Sequence, residues 1–152
     1  AFFQRYSGVA SFRQELWAKA RRDGGQAVNL FGRVRRVPDL LSDEFWKRKR
    51  AERQMIGSII QGTAAELTKE SLVRIADWFK DEKIPALLVN TVHDEIQIDC
   101  PREYIHKVAQ GVKALMQDFP EFAPIPILTD EKITFKSWAD KESYKKEKDY
   151  GI

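Results

Sequence analysis

Only one cysteine, Cys100, occurs in 152 residues. It can form no internal disulfide, which excludes the disulfide-stapled secreted scaffolds and points to a reducing compartment, the cytoplasm. At the end of an apolar stretch its ordinary role is that of a small core residue. Apolar runs of the roughly 20 residues needed to cross a bilayer are missing, as is a signal-peptide pattern, so no membrane partner is expected. Internal repeats and low-complexity domains are also missing. One domain, or a piece of one, is expected, long enough to bury a real core. The first residue is Ala1 rather than methionine, the expected mark of a processed or excised piece.

A strong net charge is lacking too, at +3 overall, but the charge is unevenly spread. Residues 1–50 hold 12 Lys/Arg against 5 Asp/Glu, net +7, and the other 102 residues hold 14 against 18, net −4. A basic half beside an acid-bearing half suits a protein that grips a polyanion and also holds a metal ion.

The chain does contain an acidic turn between two strand-like runs. Ala86-Leu87-Leu88-Val89-Asn90-Thr91 reads as a largely buried strand, and Ile96-Gln97-Ile98-Asp99-Cys100 alternates as a half-buried strand does. Between them lies Val92-His93-Asp94-Glu95. Asp and Glu are common at ordinary solvated turns. Carboxylates at a strand turn are also well placed to hold Mg²⁺, a hard ion that takes oxygen ligands and keeps several waters.

Around this turn the expected architecture is α+β, with a few short antiparallel strands, a metal-bearing β-hairpin and helices packed on one side. Residues 1–6 read as a helix end and Ser7-Gly8 as a break. Residues 9–22 read as a helix closed by Gly24-Gly25. Residues 27–31 and 34–37 form a candidate hairpin around Gly32-Arg33. Asp43 is the expected cap of a long helix reaching Lys80, bent near Gly57-Ser58, with Ile60, Ala64, Leu67, Ser71, Ile75 and Phe79 as its core-facing stripe. Arg53, Gly57 and Gln61 fall at successive i+4 steps on another side. A further helix is expected from Pro101 to about Asp118, with Val108, Val112, Leu115 and Met116 inward. Residues 127–135 are a candidate last strand, and residues 141–152 read as a charged, mobile tail beyond a domain of residues 1–140.

The segment from Ala51 to Glu66, which contains Arg53 and Gln61-Gly62-Thr63-Ala64-Ala65, together with His93-Asp94-Glu95, resembles the family A DNA polymerases, the bacterial polymerase-I type with its phage relatives. Arg5-Tyr6-Ser7-Gly8-Val9, the Gly32 to Asp39 hairpin and Trp138 extend the resemblance in the same order. The resemblance implies the C-terminal part of a polymerase palm, in which the turn carboxylates help hold the two Mg²⁺ ions of nucleotidyl transfer. Asp94 matches the metal-binding aspartate and Glu95 the adjacent glutamate, whose contribution is smaller and indirect. His93 matches a position near the primer terminus. Arg53 and Gln61 match positions that contact primer and template in the minor groove. Eight residues of helix span about 12 Å, enough for the pair to reach successive nucleotides. A glutamine suits the acceptor atoms that all base pairs share there. Arg33, Arg35 and Arg36 are equally readable as phosphate contacts or as charge that keeps a strand edge soluble.

Departures from the family pattern carry information as well. Gly57 stands where Asn is usual, removing a minor-groove hydrogen bond, Ile59 where Pro is common and Glu66 where Asp is common. Nothing resembles the second aspartate in its Asp-Tyr-Ser-like motif, or the fingers helix that handles the incoming nucleotide. A chain catalytically incomplete alone is therefore expected, its two-metal site completed by a separate polymerase portion. The expected partners are primer-template DNA, a deoxynucleoside triphosphate and that missing portion, with self-association through exposed apolar surface. The expected location becomes the host cytoplasm if a phage encodes the chain. The alternative is a non-catalytic DNA-binding module with the same fold. Glu95 argues against the single-subunit RNA polymerases, whose turn resembles His-Asp-Ser. A hydrolase using His93, Asp94 and Glu95 on one ion is disfavoured because neighbouring strand residues face opposite sides.

Overall fold

The computed structural model describes residues 2–150. The chain divides into two compact units, Ala1–Glu66 and Leu67–Ile152.

In the first unit, α1 (Phe2–Arg5) and α2 (Ser7–Arg22) are separated at Tyr6, one residue before the expected break. α2 ends as its Gly-Gly pair requires. Gly25 N donates to Ala20 O at 2.8 Å and Gly24 N to Arg21 O at 3.3 Å, closing the helix while Gly24 adopts φ +69°. Strands β1 (Gln26–Val28) and β2 (Val34–Arg36) pair antiparallel, with Ala27 opposite Arg35. Their loop is tied by Asn29, whose Oδ1 accepts the amides of Phe31 and Arg33 at 3.0 and 2.9 Å. A tight helical turn, Pro38–Leu41, leads to α3 (Phe45–Asp81). Ser42 rather than Asp43 supplies a side-chain acceptor here, its hydroxyl receiving the Glu44 amide at 3.2 Å.

α3 runs unbroken through Gly57-Ser58, and each unit buries its own part of it. In the first unit Ala51, Met55, Ile59 and Thr63 are buried, and the apolar members of that row pack with Ala20, Ala27, Val37 and Leu40. The expected stripe is corrected here, because Ile60 is 56% exposed and Ala64 is also exposed. The β1–β2 loop decides this by docking on the neighbouring row. Leu30 N donates to Thr63 Oγ1 at 3.3 Å, and that hydroxyl donates to Ile59 O at 2.7 Å.

In the second unit Ser71, Ile75 and Phe79 are buried as expected. α3 stops at a left-handed residue, Lys83 (φ +52°), with Ile84 N donating to Phe79 O at 2.8 Å. β3 (Leu87–Val92) and β4 (Glu95–Asp99) form an antiparallel hairpin irregular between Leu88 and Asn90. Leu88, Ile96 and Ile98 pack with Ile75, Phe79 and Ile84 and with α4 (Ile105–Gln117), through Val108, Val112, Leu115 and Met116. α4 approaches α3 closely at Gly111, where an added Cβ would lie 2.2 Å from the Trp78 ring. The reading of residues 86–91 as a largely buried strand is corrected. Leu87 is 65% and Val89 58% exposed, because this two-stranded sheet is covered on one face only.

Residues 141–150 are largely exposed but anchored at Lys141, Tyr144 and Tyr150. β5 (Lys132–Ile133) is shorter than expected and pairs with β6 (Glu142–Ser143). Tyr150 is buried beside His106 and Tyr144, and the Tyr144 hydroxyl lies 2.7 Å from His106 Nδ1. Aromatic anchors at Tyr144 and Tyr150 outweigh the surrounding charge. No helix among the described residues is long and apolar enough to cross a membrane.

Candidate functional site

Each unit carries one candidate surface. In the second it is the turn of the β3–β4 hairpin. Val92 faces Glu95 across the ladder, leaving His93 and Asp94 as a two-residue loop. Right-handed strand twist favours loops with a positive φ, usually supplied by glycine. His93 takes φ +56° instead. Left-handed backbone costs a non-glycine residue roughly 1–2 kcal/mol, and residues held there cluster at functional sites.

The two acids of the turn are in opposite states. Asp94 is exposed and makes no hydrogen bond or ion pair among the described residues. Glu95 is half-buried and fully engaged. Lys141 Nζ donates to its Oε2 at 2.6 Å, while Trp138 Nε1 and Gln97 Nε2 donate to Oε1 at 2.6 and 3.1 Å. The Lys141 ammonium, then Gln97 and the Trp138 indole, hold the Glu95 carboxyl down at about 2, below its usual 4.5.

Mg²⁺, the ion that the resemblance implies, takes one or two protein carboxylates and retains waters. Asp94 fits that role as a single free oxygen donor. Glu95 fits it poorly, since an ammonium already occupies the position a cation would need. No cluster of three or more metal-ligating side chains occurs among the described residues.

In the first unit an open cleft of about 630 Å³ lies between the β1–β2 hairpin and the face of α3 that carries Arg53, Gly57 and Gln61. The i+4 spacing puts these three in one row, and Arg53 and Gln61 are exposed. Neither makes a hydrogen bond or ion pair among the described residues, so both present free donors to the cleft. Gly57 leaves the row's middle open, with nothing within 4 Å of an added Cβ. Arg33 and Arg35 also line the cleft, a role that the sequence left undecided. Arg33 is aligned by Glu66, which accepts from its Nε and, at 3.1 Å, from its Nη2. Glu66 therefore has a definite task in orienting the Arg33 guanidinium.

The sequence model of "DNA polymerase family A" matches residues 1–140. The chain belongs to DNA polymerase family A. It is 31% identical to the DNA polymerase of Bacillus phage SP01 over 139 residues, covering 87% of this chain and 15% of that protein. It is 33% identical to DNA polymerase I of Lactococcus lactis subsp. lactis over 137 residues, covering 90% of this chain and 15% of that protein. Among solved structures it is similar to the POL domain of Pol1 from M. smegmatis, solved in complex with DNA primer-template and dNTP. The TM-score is 0.72 at 28% identity, with 77% of this chain and 20% of that one covered. The chain thus spans about 15% of the length of these curated family A relatives.

The residues singled out from sequence fall on these two surfaces. Arg53 and Gln61 share the cleft of the first unit, while His93, Asp94 and Glu95 share the turn of the second. Trp138 and Lys141 were missed as partners of the turn. In the sequence Trp138 carries only its resemblance to a closing family residue, and Lys141 is one charge in a charged stretch.

Proposed function

We propose that this chain is the C-terminal palm portion of a DNA-directed DNA polymerase, contributing Asp94 as a metal ligand and the Arg53–Gln61 face as a primer-template contact. The observation that carries this reading is the exposed, partnerless Asp94 at the tip of a tight hairpin in a chain of this family. Mg²⁺, when bound, supplies electrostatic stabilisation of the charge that develops on the reacting phosphate oxygens. Asp94 offers it one oxygen. A two-ion site needs further carboxylates from separate elements, so the second aspartate and the fingers belong to a missing polymerase portion, in the same or a separate polypeptide.

The cleft of the first unit supports duplex binding. Arg53 and Arg35 offer cationic donors for phosphates, which give affinity without sequence choice. Gln61 offers an amide to minor-groove acceptors, which every base pair displays. His93 beside Asp94 is assigned to the primer end. The outer edge of β3 has no partner strand among the described residues, which leaves room for a neighbouring palm strand.

The test is template-directed primer extension by this chain mixed with a polypeptide carrying the remaining polymerase portion. Asp94→Ala is expected to lower the rate about 10³-fold or more, since a Lewis-acid ion contributes several kcal/mol. Primer-template affinity should change less than about twofold. Extension that survives the substitution removes Asp94 from the mechanism.

A further inference from the structure

The neighbouring carboxylates of the turn differ in what surrounds them. Asp94 is unpartnered, whereas both oxygens of Glu95 are filled by Lys141, Trp138 and Gln97. The two distant donors brace each other, the Lys141 ammonium lying 4.7 Å from the centroid of the Trp138 ring. Their segment is itself fixed. Ser137 donates to Asp140 Oδ2 at 2.5 Å, Thr134 donates to Ser137 O at 2.9 Å, and β6 follows directly in its ladder with β5.

A two-stranded hairpin is marginal by itself, and this one carries a left-handed histidine at its loop. A free carboxylate on such a tip would wander, yet a displacement of about 1 Å at a reacting centre costs on the order of 10²-fold in rate. Hydrogen bonds to an ionised acceptor are the stronger kind. Three of them converge on the residue that follows Asp94.

We propose that Glu95 is a positioning residue: it fastens the hairpin to the Trp138–Lys141 segment, so that Asp94 alone is left to meet a cation. Lys141 and Trp138 are the other half of this fastening. A cation reaching Glu95 would have to displace an ammonium and an indole N–H, and would repel the ammonium while doing so. The catalytic meaning of the fastening rests on the reading of Asp94 as a ligand, but the fastening does not.

The experiment uses the full chain labelled with ¹⁵N. Trp138→Phe assigns the Trp138 indole N–H among the four tryptophans. In the native chain, Mn²⁺ is expected to broaden the His93 and Asp94 amides first. Excess Mg²⁺ is expected to leave the Trp138 indole resonance in place. Glu95→Gln and Lys141→Met should speed hydrogen exchange at Val92 and Glu95 about tenfold or more, the size expected for losing a hydrogen bond to a charged group. Lys141→Arg should restore most of the protection, while exchange at Ile75 and Val108 stays unchanged in all variants. The proposal is overturned if Mg²⁺ moves the indole resonance to its solvent-exposed position, for Glu95 is then a cation ligand. It is equally overturned if Glu95→Gln leaves the hairpin amides as protected as before. Primer extension by Asp94→Ala with the remaining polymerase portion present decides the ligand reading of Asp94 separately, and the exchange data decide the fastening.

Discussion

Arg53 and Gln61 project from the regular backbone of α3, whereas Asp94 projects from a two-residue loop whose first member is left-handed. The two surfaces are built by opposite means. In the first unit the helix supplies order without help, and two free donors eight residues apart on one face need only be left unpaired. In the second the loop is costly, and order is imported from Trp138 and Lys141 through Glu95. A row of side chains along a helix can thus be read from spacing alone, while the anchoring of a two-residue loop draws on residues far along the chain.

The largest effects test whether the units are separate in stability as well as in packing. Met55 is fully buried in the first core, and Met55→Ala should cost about 2–5 kcal/mol. Gly111→Ala drives a methyl into the Trp78 ring and should cost about 1–3 kcal/mol in the second. Native-state hydrogen exchange at Ala27 and Val108 separates the outcomes. Each substitution is expected to lower protection mainly in its own unit. Equal losses at both reporters would make the chain one cooperative body.

Next in size is Arg53→Ala, expected to weaken primer-template binding about tenfold and to reduce the salt slope by about one. Gln61→Ala should weaken it less and leave the slope unchanged, because no phosphate contact is lost. Titrations of a fluorescent duplex at several salt concentrations check both. An unchanged slope for Arg53→Ala would take that residue away from the phosphates.

Helix ends allow a smaller and sharper comparison. α2 and α3 close with the same pair of backbone hydrogen bonds, but the left-handed position is Gly24 in one and Lys83 in the other. Lys83→Gly should therefore stabilise the second unit by up to about 1 kcal/mol, read as a rise in thermal midpoint. The matching Gly24→Lys should destabilise the first by a similar amount.

Much of this was legible before any coordinates. The Asp94 hairpin was recognisable because a short polar turn, Val92-His93-Asp94-Glu95, joins two strand-like runs. The end of α2 was recognisable because Gly24-Gly25 can adopt backbone that other residues resist. The choice between Ile59 and Ile60 was not, since neighbouring rows of a long helix both satisfy spacings of 3 and 4. Only the docking of Leu30 on Thr63 selects one. The exposure of Leu87 and Val89 was hidden because an unbroken apolar run has no period to mark its uncovered face. Arg33 and Arg35 carried no signal beyond charge until the cleft gathered them with Arg53 and Gln61. The engagement of Glu95 was hidden for the reason that makes it informative, its partners Trp138 and Lys141 lying more than 40 residues away.

The smallest effect concerns acid. Glu95 keeps its charge down to about pH 2 in the folded chain but only to about 4.5 when unfolded, so its fastening is fully present above pH 4.5. As pH falls from 4.5 towards 2 the unfolded chain takes up the proton first, and the stabilisation drains away over that window. The carboxylate side chain is 37% exposed, so solvent and salt screen the Lys141 pair and the effect on global stability is modest. The Trp138 indole N–H is the sensitive reporter. Its resonance should shift with a midpoint near pH 2, and a midpoint at 4.5 would mean that Glu95 titrates as a free side chain. The Glu142–Lys148 pair is a built-in control. Its carboxyl is also held below 4.5 by the Lys148 ammonium, but both groups are exposed and no hairpin depends on them. Protonating Glu142 should leave the amides of Val92 and Glu95 untouched, while protonating Glu95 should loosen them.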